Sequence, residues 1–301
     1  MANIDVPVKR LMQSSMGDWV KFLVPGCKED WIKEMDASKV PAKKESRLDK
    51  LILVDSPDEK FILNIEPQGY LDYKMPVRML RYRADIWEYT VEIGLGMPSV
   101  KQAVIYFYKE HDNREYLLSD KWDGIETLKY SFKAIRIWEI ESNIIIRNKL
   151  EGLYPLIPLM NSGDETEEEI IEKTIDVIKN VETETFKADL LAVMTILAGE
   201  KFTKELIKKY IRREMLMSSP IYNEWVEEER KETAYKTSLK VTKSKILGAL
   251  EIKFDFIPRS IKVNIEQIHD IDILDGLFKR SIKASSIEEF EESLEKVKRL
   301  N

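Results

Sequence analysis

Two apolar runs, residues 48–54 and 61–65, flank the polar stretch Asp55-Ser-Pro-Asp-Glu-Lys60, a pattern that predicts a β-hairpin. Pro76 then opens a helical pattern at the favoured first-turn position. Val77, Leu80, Ala84, Trp87 and Val91 follow at helical spacing as its predicted apolar stripe. The pattern ends in the turn region 94–98. Beyond it, 103–108 (Ala-Val-Ile-Tyr-Phe-Tyr) reads as a buried central strand and 132–140 as a further strand. Upstream, 19–39 has loose helical spacing that Pro25 and Gly26 split in two.

After Asn143 the pattern changes to helices, expected at 144–150, 165–180, 184–198 and 203–217, with the Pro-punctuated apolar connector 154–160 among them. Ser219-Pro220 supplies a cap and first-turn pair for a long helix over 221–252. Its middle, 226–234, is nearly all charged and fits a solvated arm better than one strand of a coiled coil. Two or three short helices fill 258–301, the last opening with the capping box Ser286-x-x-Glu289. The expected organisation is a mixed α/β region at 1–150, a connector and helical segment at 151–220, and a helical module at 221–301.

Composition narrows the chemistry. Of 301 residues only two are His and one is Cys, so neither a disulfide nor a zinc centre is expected, and any metal should be held by carboxylates. Cys27 has no His nearby to activate it, His111 followed by Asp112-Asn-Arg114 reads as a hairpin turn and not a base, and Gly94-x-Gly96 lacks the remainder of a nucleotide loop. No nucleotide cofactor is expected. No apolar run approaches the roughly 20 residues that span a bilayer, and residues 1–10 lack the apolar core of a signal peptide. A cytoplasmic address without membrane attachment is therefore expected. The net charge of −6 opposes nucleic-acid binding at first sight. Residues 1–160 nevertheless carry 24 basic against 25 acidic side chains, and 161–301 carry 24 against 29.

Three polar residues stand out on the hairpin. Asp49 lies near the start of its first strand, and Glu66 and Gln68 project to one face if the second strand persists through Pro67. Two carboxylates and an amide at one sheet end suit a hard cation such as Mg²⁺. On spacing alone the ordinary alternative, surface carboxylates at strand ends, stays open.

The surrounding words go further. Arg47-Leu-Asp49, Leu63-Asn-Ile-Glu66-Pro-Gln68 and Met75-Pro-Val-Arg78-Met-Leu80-Arg-Tyr82 occur in an order that resembles the Rpn family of recombination-promoting, transposase-like nucleases, a branch of the PD-(D/E)XK nucleases. The connector 154–160, the junction 215–222 and the tail from Ile246 extend the resemblance over most of the chain. It implies a PD-(D/E)XK α/β core, a mixed sheet flanked by helices, with an all-α C-terminal extension. It also implies a metal-dependent DNA endonuclease linked to recombination or mobile elements. Asp49, Glu66 and the carbonyl of Pro67 would hold Mg²⁺ or Mn²⁺. Gln68 stands where many of these enzymes have Lys and would position the attacking water. Neither Glu34 nor Glu45 matches an acidic first-helix ligand well. On a helical wheel Arg78, Arg81 and Tyr82 share one flank with Asp85, so the three are candidate DNA contacts. The alternative is that Arg78 pairs with neighbours and Tyr82 packs. A catalytically weak or inactive nuclease-derived module, binding DNA or a protein, is the competing functional expectation, with a homodimer through 221–252.

Overall fold

A computed structural model describes residues 4–35, 50–112 and 114–298. The chain is α/β: a five-stranded mixed sheet flanked by helices, followed by a helical C-terminal part. It forms two compact units, residues 1–225 and 226–301.

In the first unit, helices α1 (Asp5–Ser14) and α2 (Met16–Leu23) precede strands β1 (Ile32–Glu34), β2 (Lys50–Asp55) and β3 (Lys60–Gln68). Helix α3 (Met75–Glu92) crosses over to β4 (Ser99–Tyr106). The hairpin β5 (Leu117–Trp122) and β6 (Ile125–Ser131) then intervenes before β7 (Lys133–Arg136). Sheet order is β1-β2-β3-β4-β7, with β1, β2 and β3 antiparallel and β3, β4 and β7 parallel. The predicted hairpin is β2–β3. Of the second half of the helix expected at 19–39, residues 27–35 form no α-helix: α2 ends before Pro25 and Gly26, the latter at φ 86°. A single 3₁₀ turn follows at Glu29–Trp31, residues 32–34 pair with β2, and 36–39 lie outside the described residues. Hairpin β5–β6, closed by Asp123 and Gly124 at positive φ, carries too few buried side chains to announce itself as a strand pair.

Successive β3 side chains serve two cores. Phe61, Leu63 and Ile65 face α1, α2 and the 3₁₀ segment Glu151–Leu159. Ile62 faces Met75, Met79, Tyr82 and Ile86 of α3. The first core also takes in α4 (Ser142–Arg147), α5 (Glu167–Lys179), α6 (Glu184–Ala198) and α7 (Lys204–Tyr210). Thus the segment expected as a connector, with Leu153, Leu156 and Ile157 fully buried, shares one core with the sheet. α5 starts at a full capping box, Thr166 with Glu169.

Helix α8 (Pro220–Phe254) opens with Ser219 Oγ accepting from the Tyr222 amide at 3.0 Å, as its capping role predicts. Its charged middle is exposed and carries Glu227–Lys231 and Glu232–Lys236 pairs at i, i+4. The second unit buries Ile246 and Leu250 of α8 against α9 (Arg259–Glu266), α10 (Ile271–Lys283) and α11 (Ile287–Lys298). The Ser286 hydroxyl accepts from the Glu289 amide, while the Glu289 carboxylate reaches back to the amide of Ser285.

Candidate functional site

β3 runs through Pro67 and pairs with β4 as far as Gln68↔Tyr106, so Glu66 and Gln68 point to the α3 side together. Both lie in the interior, 4% and 1% exposed. A carboxylate so deprived of water needs a charged partner. Arg78, in the first turn of α3, supplies it: Nη2 donates to Glu66 Oε1 at 2.8 Å and to Gln68 Oε1 at 3.0 Å. Nη1 donates to the Tyr70 hydroxyl and pairs with Asp72 Oδ2, each at 3.0 Å. Gln68 Nε2 closes the cluster by donating to the Tyr70 carbonyl. Burial works against the Arg78 charge, but Glu66 and Tyr70 more than offset it, holding the guanidinium charged above its ordinary range.

One turn deeper, a second polar group covers the same face. Gln102 of β4 donates to Asn64 Oδ1 at 3.1 Å and to the Met79 carbonyl at 2.8 Å, and accepts from Arg83 and Tyr130. This network fixes α3 on the sheet and thereby places Arg78.

The α3 stripe expected from the sequence is corrected. Val77, Ala84 and Val91 are exposed, and the buried face is Met75, Met79, Tyr82, Ile86 and Thr90. Tyr82, proposed as a DNA contact, is 2% exposed and packs in the core beneath α3, so its ring cannot meet a phosphate. Arg81 is exposed, with its guanidinium 5.9 Å from the Tyr82 ring centroid. Arg78 turns inward and has the pairing role. Asp49 and Glu45 lie outside the described residues; Glu34 is exposed on the edge strand β1. Cys27 is buried and burial pushes its thiol upward, which disfavours a thiolate. His111 is the buried residue of an otherwise exposed 3₁₀ turn, Lys109–His111, and sits edge-on to Tyr108, not in a hairpin turn.

Sequence reasoning picked out Gln68 but missed the rest of a row of side chains along the C-terminal ends of the parallel strands, the edge where open α/β sheets bind ligands. Gln68, Tyr106 and Arg136 occupy matching positions on β3, β4 and β7. The Tyr106 hydroxyl is buried without a hydrogen bond, and burial, with Asp112 and Tyr116 nearby, pushes its pKa up. Arg136 Nε donates to Asp112 Oδ2 at 2.7 Å, and Nη2 donates to the Tyr116 hydroxyl at 2.7 Å. Only strand register brings these residues together. A separate cavity of about 470 Å³ beyond β4, with Tyr108, Trp138, Glu200 and Lys201 in its wall, involves neither Glu66 nor Arg78.

Burial alone would raise the Asp112 pKa, but the bonds from Tyr116, Arg136 and the Arg114 amide outweigh it and hold the group below its ordinary value. A depressed folded-state pKa contributes stability above the unfolded value of about 3.9, and that contribution is lost as pH falls through the folded value. Arg136 is partly exposed and keeps Glu139 and Tyr116, so Asp112→Asn should cost about 2 kcal/mol in urea unfolding at pH 7, and the difference from wild type should shrink below pH ~4. An equal difference at pH 7 and pH 3 would contradict this pairing.

Comparison with known proteins gives no match to this chain among protein-family models, curated proteins or solved structures. Among the described residues no group of three or more His, Cys, Asp and Glu side chains is placed to hold a metal ion, and no helix is long and apolar enough to cross a membrane. In donor chemistry, however, the site suits a hard cation. Glu66 and Gln68 present oxygen acceptors that already share a cation, the Arg78 guanidinium, and Asp72 adds a second carboxylate.

Proposed function

We propose that the chain is a divalent-metal-dependent DNA endonuclease with a PD-(D/E)XK core, of the Rpn kind its motifs resemble. The observation that carries this reading is the burial of Glu66 and Gln68 side by side at the C-terminal end of a central strand, against Arg78 of the crossover helix. β2 contributes through its register: its pairing with β3 reaches Lys50↔Ile65, the pair next to Glu66 along β3.

Asp49, Glu66 and the carbonyl of Pro67 would hold Mg²⁺ or Mn²⁺. When bound, such an ion lowers the pKa of a coordinated water and offsets charge on the phosphoryl oxygens. Gln68 orients the attacking water by hydrogen bonding; its amide neither takes the proton nor adds charge. The charge that a Lys would bring at that position comes from Arg78, whose planar fork matches a phosphate in two parallel bonds. Arg81, exposed one turn along α3, offers a further phosphate contact.

The test is direct. Supercoiled plasmid incubated with the purified chain and Mn²⁺ or Mg²⁺ should become nicked and linear, and EDTA should stop the reaction. Intact plasmid across a full titration of protein and metal would overturn the reading. The engagement of Glu66 and Gln68 by Arg78 favours one alternative, a nuclease-derived module that binds DNA or a partner without cutting. That module would retain DNA in a gel shift yet give no heat on Mn²⁺ titration. Assembly through α8 would show as a dimer mass in light scattering.

A further inference from the structure

We propose that Arg78 is the resident cation of the Glu66–Gln68 pair and competes with the divalent ion for Glu66, moving onto the substrate phosphate when metal binds. The inference rests on the metal-dependent reading above and adds to it a coupling between metal binding and phosphate recognition.

Three observations carry it. Arg78 Nη2 lies 2.8 Å from Glu66 Oε1 and 3.0 Å from Gln68 Oε1. A guanidinium and a divalent ion on one carboxylate would stand a few ångströms apart, and like charges repel strongly in a site with little water. The same guanidinium already has a second anchorage. Its Nη1 reaches Asp72 and Tyr70, both in the loop between β3 and α3, where Tyr70 and Tyr73 are exposed. Arg78 can therefore leave Glu66 without losing every partner, keeping Asp72 as its counter-ion at the mouth of the site. Arg78 itself is 16% exposed, close enough to solvent for its fork to reach a phosphate arriving from outside.

The arrangement explains how a buried carboxylate is tolerated before metal arrives. Arg78 Nη2 sets a positive charge against the Glu66 carboxylate and orients it, and Gln68 is held beside it by the same nitrogen. Arg78 is thus a positioning residue without metal and a substrate-contacting residue with it.

Mn²⁺ titration of the full chain without DNA, followed by calorimetry and by the electron paramagnetic resonance of free Mn²⁺, tests the competition independently of cleavage. Arg78→Met should bind Mn²⁺ about tenfold tighter than wild type. Its metal-free melting temperature should fall, and Mn²⁺ should restore it. Arg78→Lys keeps the charge and should return the affinity toward wild type. Asp72→Asn removes the alternative anchorage, holds Arg78 on Glu66 and should weaken Mn²⁺ binding several-fold; it remains informative if Arg78→Met does not fold. Unchanged or weaker binding in Arg78→Met, or tighter binding in Asp72→Asn, would overturn the competition while wild-type Mn²⁺ binding leaves the metal reading standing. No binding by wild type or any variant would remove both.

Discussion

Glu66→Gln is expected to lower the Mn²⁺-dependent cleavage rate by a factor on the order of 10³ or more, and Asp49→Asn to do the same, with DNA retention in a metal-free gel shift unchanged. The substitution at Glu66 keeps the volume of the side chain and an oxygen that can accept from Arg78 Nη2, now at 2.8 Å. It removes the charge. Arg78 keeps Asp72 at 3.0 Å, so the loss of stability should stay near 2 kcal/mol, the scale of one charge-assisted bond. Single-turnover cleavage and a thermal melt on the same preparation separate the two effects. A folded Glu66→Gln protein that keeps more than a tenth of the wild-type rate would remove Glu66 from the chemistry.

Glu66 and Gln68 were legible because a strand repeats every two residues: once the apolar run 61–65 is read as a strand, both must share a face. α3 was legible in position but not in rotation. Two apolar stripes compete on it. The one formed by Val77, Leu80, Ala84, Trp87 and Val91 lies roughly 130° round the helix, at about 100° per residue, from the one buried, Met75, Met79, Tyr82, Ile86 and Thr90. Hydrophobicity counted along the helix alone cannot choose between them. The sheet beneath chooses, because it presents Asn64, Glu66, Gln68 and Gln102, polar side chains that need donors. Arg78 and Arg83 border the buried stripe on its two sides and supply those donors, whereas Arg81 points away. The rotation of α3 is thus set by polar pairing across the core. Tyr106 and Arg136 were illegible for a related reason: their neighbourhood follows from the β3-β4-β7 register, and β7 is a four-residue strand with little pattern of its own.

Gly152→Val should lower the melting temperature of the first unit by about 10 °C, a cost of about 3 kcal/mol or more. The reason lies in how Glu151–Leu159 meets the junction of α1 and α2. Any Cβ at Gly152 would overlap the Cβ and Oγ of Ser15, and Ser15 has no freedom to yield. Its hydroxyl is bonded to the Leu11 carbonyl at 2.6 Å and its side chain is buried between the two helices. The Gly152 amide also donates to Asp18 Oδ2 at 2.8 Å, so moving the segment away to relieve the clash would break a bond to a carboxylate. Leu153, Leu156 and Ile157 would withdraw from the core with it. Gly276→Ala is the informative contrast. Gly276 lies inside α10 with open space where its Cβ would go, so Ala there should be neutral or stabilise by up to ~1 kcal/mol through helix propensity. Because the Gly152 contact is on the sheet face opposite Glu66, cleavage by Gly152→Val should match wild type at temperatures where the unit is folded. A melting temperature within about 2 °C of wild type, less than the shift expected for 1 kcal/mol, would mean that Ser15 and the 151–159 segment do not meet as described.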